Sequence, residues 1–298
     1  MQFQRILLAG FASLALAACN DDPVSREVAP EASAQVRWVN AVSDTVAMDY
    51  RFVTYPSNAS QAGLAFRANS GNWRRVPAGT HRVRVFFTNS TAAGQAASVV
   101  SQVFVDTTFS LEAEKKYTIL HYGYTKASAT PKHRLIVIED VLPTVPAGQI
   151  AVRAVNAAPA FGTVNIFAST ATATGGAATG SPVFSNVAPG AVTSWVNLPV
   201  ATGTNSYRVA ATAPASTDAL ADLLAPAGTA ATAATATSAA LDAIAGTRQG
   251  TSALTVVIFG PQVAYVLRTP TGTSSSVAAT TTGGVGVLLD AHPARISP

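Results

Sequence analysis

Short runs of β-branched and aromatic residues, separated by Ser, Asn, Gly and Pro, recur along the chain without the 3.6-residue period of a helix. In the first half they predict strands at residues 35–40, 46–53, 64–66, 72–76, 82–88, 97–105, 116–124 and 133–139. The run Arg82-Val83-Arg84-Val85-Phe86-Phe87 alternates, sending Val83, Val85 and Phe87 to one face and Arg82, Arg84 and Phe86 to the other. Ahead of it, Pro77-Ala78-Gly79-Thr80 supplies a preset φ and a permissive glycine, as a tight connection requires. Eight short strands with no helical pattern predict a β-sandwich.

The pattern then repeats. Val36-Arg37-Trp38-Val39-Asn40-Ala41 returns as Val152-Arg153-Ala154-Val155-Asn156-Ala157, 116 residues on. Other landmarks follow in the same order: Asp49 with Asn165, Trp73 and Pro77 with Trp195 and Pro199, and Gly79 and Arg84 with Gly203 and Arg208. Further on, Tyr117-Thr118-Ile119 and Gly123 match Leu254-Thr255-Val256 and Gly260, and Asp140 matches Asp290. The offset grows stepwise from 116 to 150, as insertions in loops would make it grow. Repetition at this spacing predicts two like domains, at residues 35–140 and 150–298, joined by a linker at 141–149 that contains Pro143 and Pro146. The expected fold class is all-β, two tandem sandwiches. The Ala/Thr-rich stretch 211–250 reads as an insertion, within which Ser216-Thr217-Asp218 is placed to cap a helical turn at 219–224.

These landmarks resemble the DUF4397 family of bacterial envelope proteins. The shared features are a Val-Arg-x-x-Asn strand, an apolar strand with Asp or Asn inside it, an x-x-Pro-x-Gly turn before a basic strand, and a Tyr-Thr-type strand ending in Gly. The resemblance covers nearly all of the chain after residue 34, twice. It departs at Val42-Ser43-Asp44, where the second copy has Ala158-Pro159-Ala160. What it implies is a transthyretin-like or immunoglobulin-like sandwich in secreted or anchored proteins, with no catalytic residues to carry over.

Composition agrees with strands, since 48% of residues are hydrophobic and only 11% charged. Net charge is +4, and it is uneven: residues 35–149 carry twelve Lys and Arg against seven Asp and Glu, residues 150–298 five against four. No Lys/Arg run is interleaved with aromatics, so the sequence predicts no nucleic-acid partner. Residues 1–18 read as a secretory leader, with Arg5 ahead of an apolar stretch at 6–16 that is too short to span a bilayer. The leader ends in Leu16-Ala17-Ala18-Cys19, similar to the bacterial lipobox, and Cys19 is the sole cysteine. Lipidation of Cys19 is therefore expected, and two or three acyl chains at roughly 0.8 kcal/mol per buried methylene would make a lasting anchor. Residues 19–34 would form a solvated tether. Asn20 rather than Asp follows the cysteine, which favours outer-membrane delivery.

Candidate chemistry is sparse. His81, His121, His133 and His292 show no metal-ligand spacing, no Gly-x-Ser-x-Gly elbow occurs, and no thiol other than Cys19 is present, so neither cofactor nor metal is expected. His121 aligns with Ile258, which marks it as a core position. Glu112 with Glu114, and Glu139 with Asp140, read as solvated carboxylates rather than an acid pair. The candidate ligand-binding residues are Arg74, Arg75 and Arg82, expected on neighbouring strands as a patch for an anionic envelope glycan or lipid, together with Trp38, which faces Ala154 in the other copy. The expected function is that of a non-catalytic, membrane-anchored envelope lipoprotein, structural, adhesive or ligand-binding. The alternative is an anchored hydrolase of envelope polysaccharide.

Overall fold

The computed structural model describes residues 31–55, 60–87, 103–235, 237–268 and 274–293. The leader, Cys19 and most of the tether lie outside them, as does the start of the strand expected at 97–105. Among the described residues the protein is all-β, with a single 3-10 turn at Pro159–Phe161.

The first half holds β1 (Ser33–Asn40), β2 (Met48–Phe52), β3 (Gln61–Leu64), β4 (Arg74–Pro77), β5 (Gly79–Phe87), β6 (Val103–Leu111), β7 (Lys116–Tyr122) and β8 (Arg134–Glu139). They form two sheets, in the orders β4-β1-β7-β8 and β3-β2-β5-β6. The second half holds β9 (Gln149–Ala157), β10 (Val164–Ala171), β11 (Phe184–Val187), β12 (Val196–Pro199), β13 (Ser206–Thr212), β14 (Ala219–Leu224) and β15 (Ala253–Phe259), then the hairpin β16 (Tyr265–Arg268) and β17 (Ser274–Val277), and β18 (Gly284–Ala291). Its sheets run β12-β9-β15-β18 and β11-β10-β13-β14. In both halves the first strand is parallel to the strand beside it: Val36 faces Tyr117 in β1 and β7, and Val152 faces Leu254 in β9 and β15.

Why β1 and β9 carry almost no exposed residue follows from the layers. Val36 and Trp38 point into a core shared with Tyr50, Phe52, Val83, Val85 and Ile119, between the two sheets of the first half. Val152 and Ala154 point into the matching core with Ile166, Val209 and Val256. The alternate positions meet across the halves, where Val39, Ala41, Leu120 and Tyr122 pack with Val155, Ala157, Val257 and Phe259. Four sheets are thus stacked around three apolar layers, and the central strands of the two inner sheets, β1, β7, β9 and β15, are buried on both faces, which removes the polar alternation a one-sided sheet would show.

Two expectations are corrected. Residues 219–224 form β14 and not a helical turn, because Ala219 to Leu224 pair with Thr212 to Arg208 along β13 and tertiary pairing overrides the helix propensity of an Ala/Leu run. Ser216 Oγ does accept the backbone N–H of Asp218, at 2.9 Å, but it closes a turn before a strand. The strand expected to end at 105 runs on to Leu111 within the described residues, with Thr107 and Thr108 inside the ladder to β5, since β-branched residues suit a paired strand.

Candidate functional site

The buried polar residues converge between the halves. Arg37 lies on the side of β1 that faces the second half, 1% exposed, and its guanidinium is bonded to Asp290 on β18. Reciprocally, Arg153 on β9 is bonded to Asp140, just beyond β8. Each arginine also turns its Nε to a threonine of its own sheet, Arg37 to Thr118 Oγ1 and Arg153 to Thr255 Oγ1, both at 2.8 Å. These threonines donate in turn to the aspartates, Thr118 to Asp140 at 2.7 Å and Thr255 to Asp290 at 2.6 Å. The secondary approaches are longer, 3.7 Å from Arg37 to Asp140 and 4.0 Å from Arg153 to Asp290. Two cations and two anions therefore share one desolvated centre related by an approximate two-fold. Burial pushes the Asp290 carboxyl above its ordinary value, and the Arg37 guanidinium works against that rise.

Each arginine is capped by an indole: Arg37 lies 4.3 Å from the Trp73 ring centroid and Arg153 4.6 Å from that of Trp195. Beyond this point the two-fold breaks. Trp195 donates its indole N–H to the Val141 carbonyl at 2.9 Å, so the linker lies on that side. Trp73 instead lines a cleft of about 640 Å³, together with Arg37, Asn69, Asn72, Lys116 and His292.

A second polar chain runs through the first half. His121 is fully buried, with Nδ1 3.0 Å from the Tyr50 hydroxyl and Nε2 3.2 Å from Nδ1 of His133. Desolvation, followed by the neighbouring His133, brings the pKa of His121 down to about 3. Burial raises Tyr50 well above its ordinary value, so its hydroxyl keeps its proton. Burial also lowers His133, with Lys132 acting in the same direction and Asp44 against it. Asp44 itself is enclosed, accepting the backbone N–H groups of Thr125 and Lys126 at 2.9 and 2.8 Å.

The residues singled out from sequence do not gather. Trp38 is 0% exposed, tilted against Tyr50 and Phe52 with centroids 5.1 and 5.5 Å away, and fills the first core. Arg74 and Arg75 lie on β4, which pairs with β1, whereas Arg82 lies on β5 in the opposite sheet. The expectation of neighbouring strands is thus corrected: the turn at Ala78 carries the chain from one sheet to the other instead of folding a hairpin. Arg74 donates to the Ser60 carbonyl. Arg82 grips Asp106 with two bonds of 2.7 and 2.6 Å, and Arg84 adds a third at 2.9 Å, which holds the Asp106 carboxyl at about 2. Arg75 remains exposed.

Sequence reasoning passed over Arg37, Arg153, Thr118, Thr255, Asp140 and Asp290 as ligands of one another, although every one of them stood among the repeated landmarks, and it read Asp140 as solvated where the structure buries it against Arg153 and Thr118. The available signal was a charged residue inside an otherwise apolar strand, twice. The approach of His121 to His133 was hidden by a separation of twelve residues across the β7–β8 connection. Among the described residues no group of three or more His, Cys, Asp or Glu side chains is placed to hold a metal ion.

Residues 34–167 match the model of a family described as a domain of unknown function, DUF4397, a span from β1 into β10. No curated protein matches the chain.

Proposed function

We propose that this protein, which belongs to the DUF4397 family through residues 34–167, is a non-catalytic lipoprotein of the cell envelope that presents a rigid binding body on a lipid anchor at Cys19. The second half is a second unit of the same kind in this reading. Support comes from its sheet orders, which follow those of the first half, and from Arg153, Thr255, Asp290 and Trp195 standing where Arg37, Thr118, Asp140 and Trp73 stand.

The observation that carries the proposal is the cross-pairing of Arg37 with Asp290 and Arg153 with Asp140. A hydrolase of envelope polysaccharide needs two carboxyl groups turned toward a substrate. Here the two most enclosed carboxylates of the inter-half centre are turned toward arginines, where they lock the halves together. The leader and Cys19 argue for the anchor, on the outer membrane, and the partner would be an anionic glycan or lipid of the envelope.

Metabolic labelling with an alkyne palmitate analogue tests the anchor. Wild type should incorporate label and fractionate with membranes, and Cys19→Ser should do neither. Unlabelled wild type would remove the anchored reading. Hydrolysis of an envelope polysaccharide, abolished by Asp140→Asn or Asp290→Asn in protein that still folds, would establish the enzymatic alternative instead.

A further inference from the structure

We propose that the cleft at Trp73 is a binding site for an acidic saccharide, a hydroxylated ring compound bearing a carboxylate. Its volume of about 640 Å³ lies within the range that small ligands fill. The lining combines the Trp73 indole and the polar residues Asn69, Asn72, Lys116 and His292 with Leu142 and the β18 stretch from Val287 to Ala291. Asn69 Oδ1 accepts the Gly71 backbone N–H at 2.8 Å, which leaves the Asn69 amide nitrogen to donate outward. His292 Nδ1 accepts the Ala245 backbone N–H at 3.0 Å, which leaves Nε2 as the ring's donor. Lys116 brings a cation 5.5 Å from the Trp73 centroid. Asp290 is the one carboxylate in the lining, and it is already engaged by Arg37 and Thr255.

Charge and donors together select the ligand. A purely apolar molecule would leave these donors without partners, at a desolvation cost for each. A small inorganic anion would satisfy Lys116 but neither fill the volume nor use the indole. A sugar acid offers hydroxyl and ring oxygens to Asn69, Asn72 and His292, an apolar ring surface to the part of the Trp73 indole that Arg37 does not cover, and a carboxylate to Lys116. The counterpart at Trp195 has its indole N–H taken by Val141 and is not offered as a second site.

This inference rests on the reading of the protein as a binding module, and it is independent of the anchor. The test uses the full-length protein in detergent micelles, titrated calorimetrically with tetragalacturonate as the acidic probe and maltotetraose as the neutral one. Saturable binding of the acidic probe is expected, with the neutral probe about tenfold weaker or absent, the size of effect that one charge-assisted hydrogen bond produces. Lys116→Gln should erase the difference between probes, and Asn72→Asp, on an exposed loop, should weaken the acidic probe about tenfold by like-charge repulsion. Trp73→Ala should weaken both. The proposal is overturned by absence of saturable binding, by equal affinity for the two probes, or by acidic-probe affinity unchanged in Lys116→Gln and Asn72→Asp. Those two variants decide the matter should Trp73→Ala fail to fold. Failure here leaves acylation of Cys19 untouched, and failure of acylation leaves this site standing.

Discussion

His121 shows how much one position can depend on its surroundings. In the register of β7 it occupies the place that Ile258 takes in β15, each opposite an asparagine of the parallel strand, Asn40 or Asn156. An aliphatic residue therefore fits the site, and the histidine adds a buried link between Tyr50 and His133. Its pKa of about 3 in the folded protein lies below the ordinary 6.5. As pH falls below about 6.5 the unfolded chain binds a proton that the folded one refuses, so stability is full above that pH and declines progressively toward pH 3. One such proton gives a slope approaching about 1.4 kcal/mol per pH unit, with a smaller part from His133, which is only partly buried. Urea unfolding at pH 7, 6, 5 and 4 should show this decline, and His121→Ile paired with Tyr50→Phe should flatten it while leaving no buried hydroxyl unpaired. An unchanged slope in that variant would mean that other groups carry the acid sensitivity. None of this was visible in the sequence beyond the alignment of His121 with Ile258, because the distance to His133 is created by strand pairing.

At the scale of elements, the strands of the first half were legible wherever two constraints coincided. Residues 35–40 carry a hydrophobic run and end against a loop, and β1 ends at Asn40 as expected. Where only composition spoke, boundaries moved, as at β6, or the type changed, as at β14. The ends of strands are set by turns, and Gly123 is the sharpest case. It follows β7 at φ 107°, and a Cβ there would lie 2.6 Å from the Lys132 carbonyl oxygen and 2.8 Å from its carbon. Backbone strain and a backbone clash add up at that position. Gly123→Ala should cost more than the ~1 kcal/mol that the φ alone imposes, roughly 2 to 4 kcal/mol in all. Gly79→Ala is the internal control, since Gly79 has φ 128° but nothing within 4 Å of a Cβ, and it should cost less. Thermal unfolding compares them, and equal losses would show that the approach of β7 to the β8 side yields easily.

The whole molecule is held by an interface that the sequence described only as a repeated motif. Val-Arg-x-Val-Asn-Ala reads like half of a sandwich core, yet its Arg, second Val and final Ala belong to a contact between sheets, where the chain supplies both partners. Nothing in a single copy says that its Arg faces the Asp of the other; the reciprocal pairs exist only once two stacked sheets bring β1 near β18 and β9 near Asp140. Such buried pairs add little over an apolar contact of the same shape, but removing one partner strands a charge at about 3 to 5 kcal/mol. The apolar layer of Val39, Leu120, Tyr122, Val257 and Phe259 supplies the attraction, and the ion pairs fix which surfaces meet. The linker should then be dispensable for cohesion. With a protease site inserted between Pro143 and Pro146, the cut protein is expected to elute from gel filtration as one species at micromolar concentration. In Arg37→Ala/Arg153→Ala the same cut should release two fragments, because Asp140 and Asp290 are left unpaired in a dry interface. If cut wild type also separates, the linker rather than the stacked sheets holds the halves together.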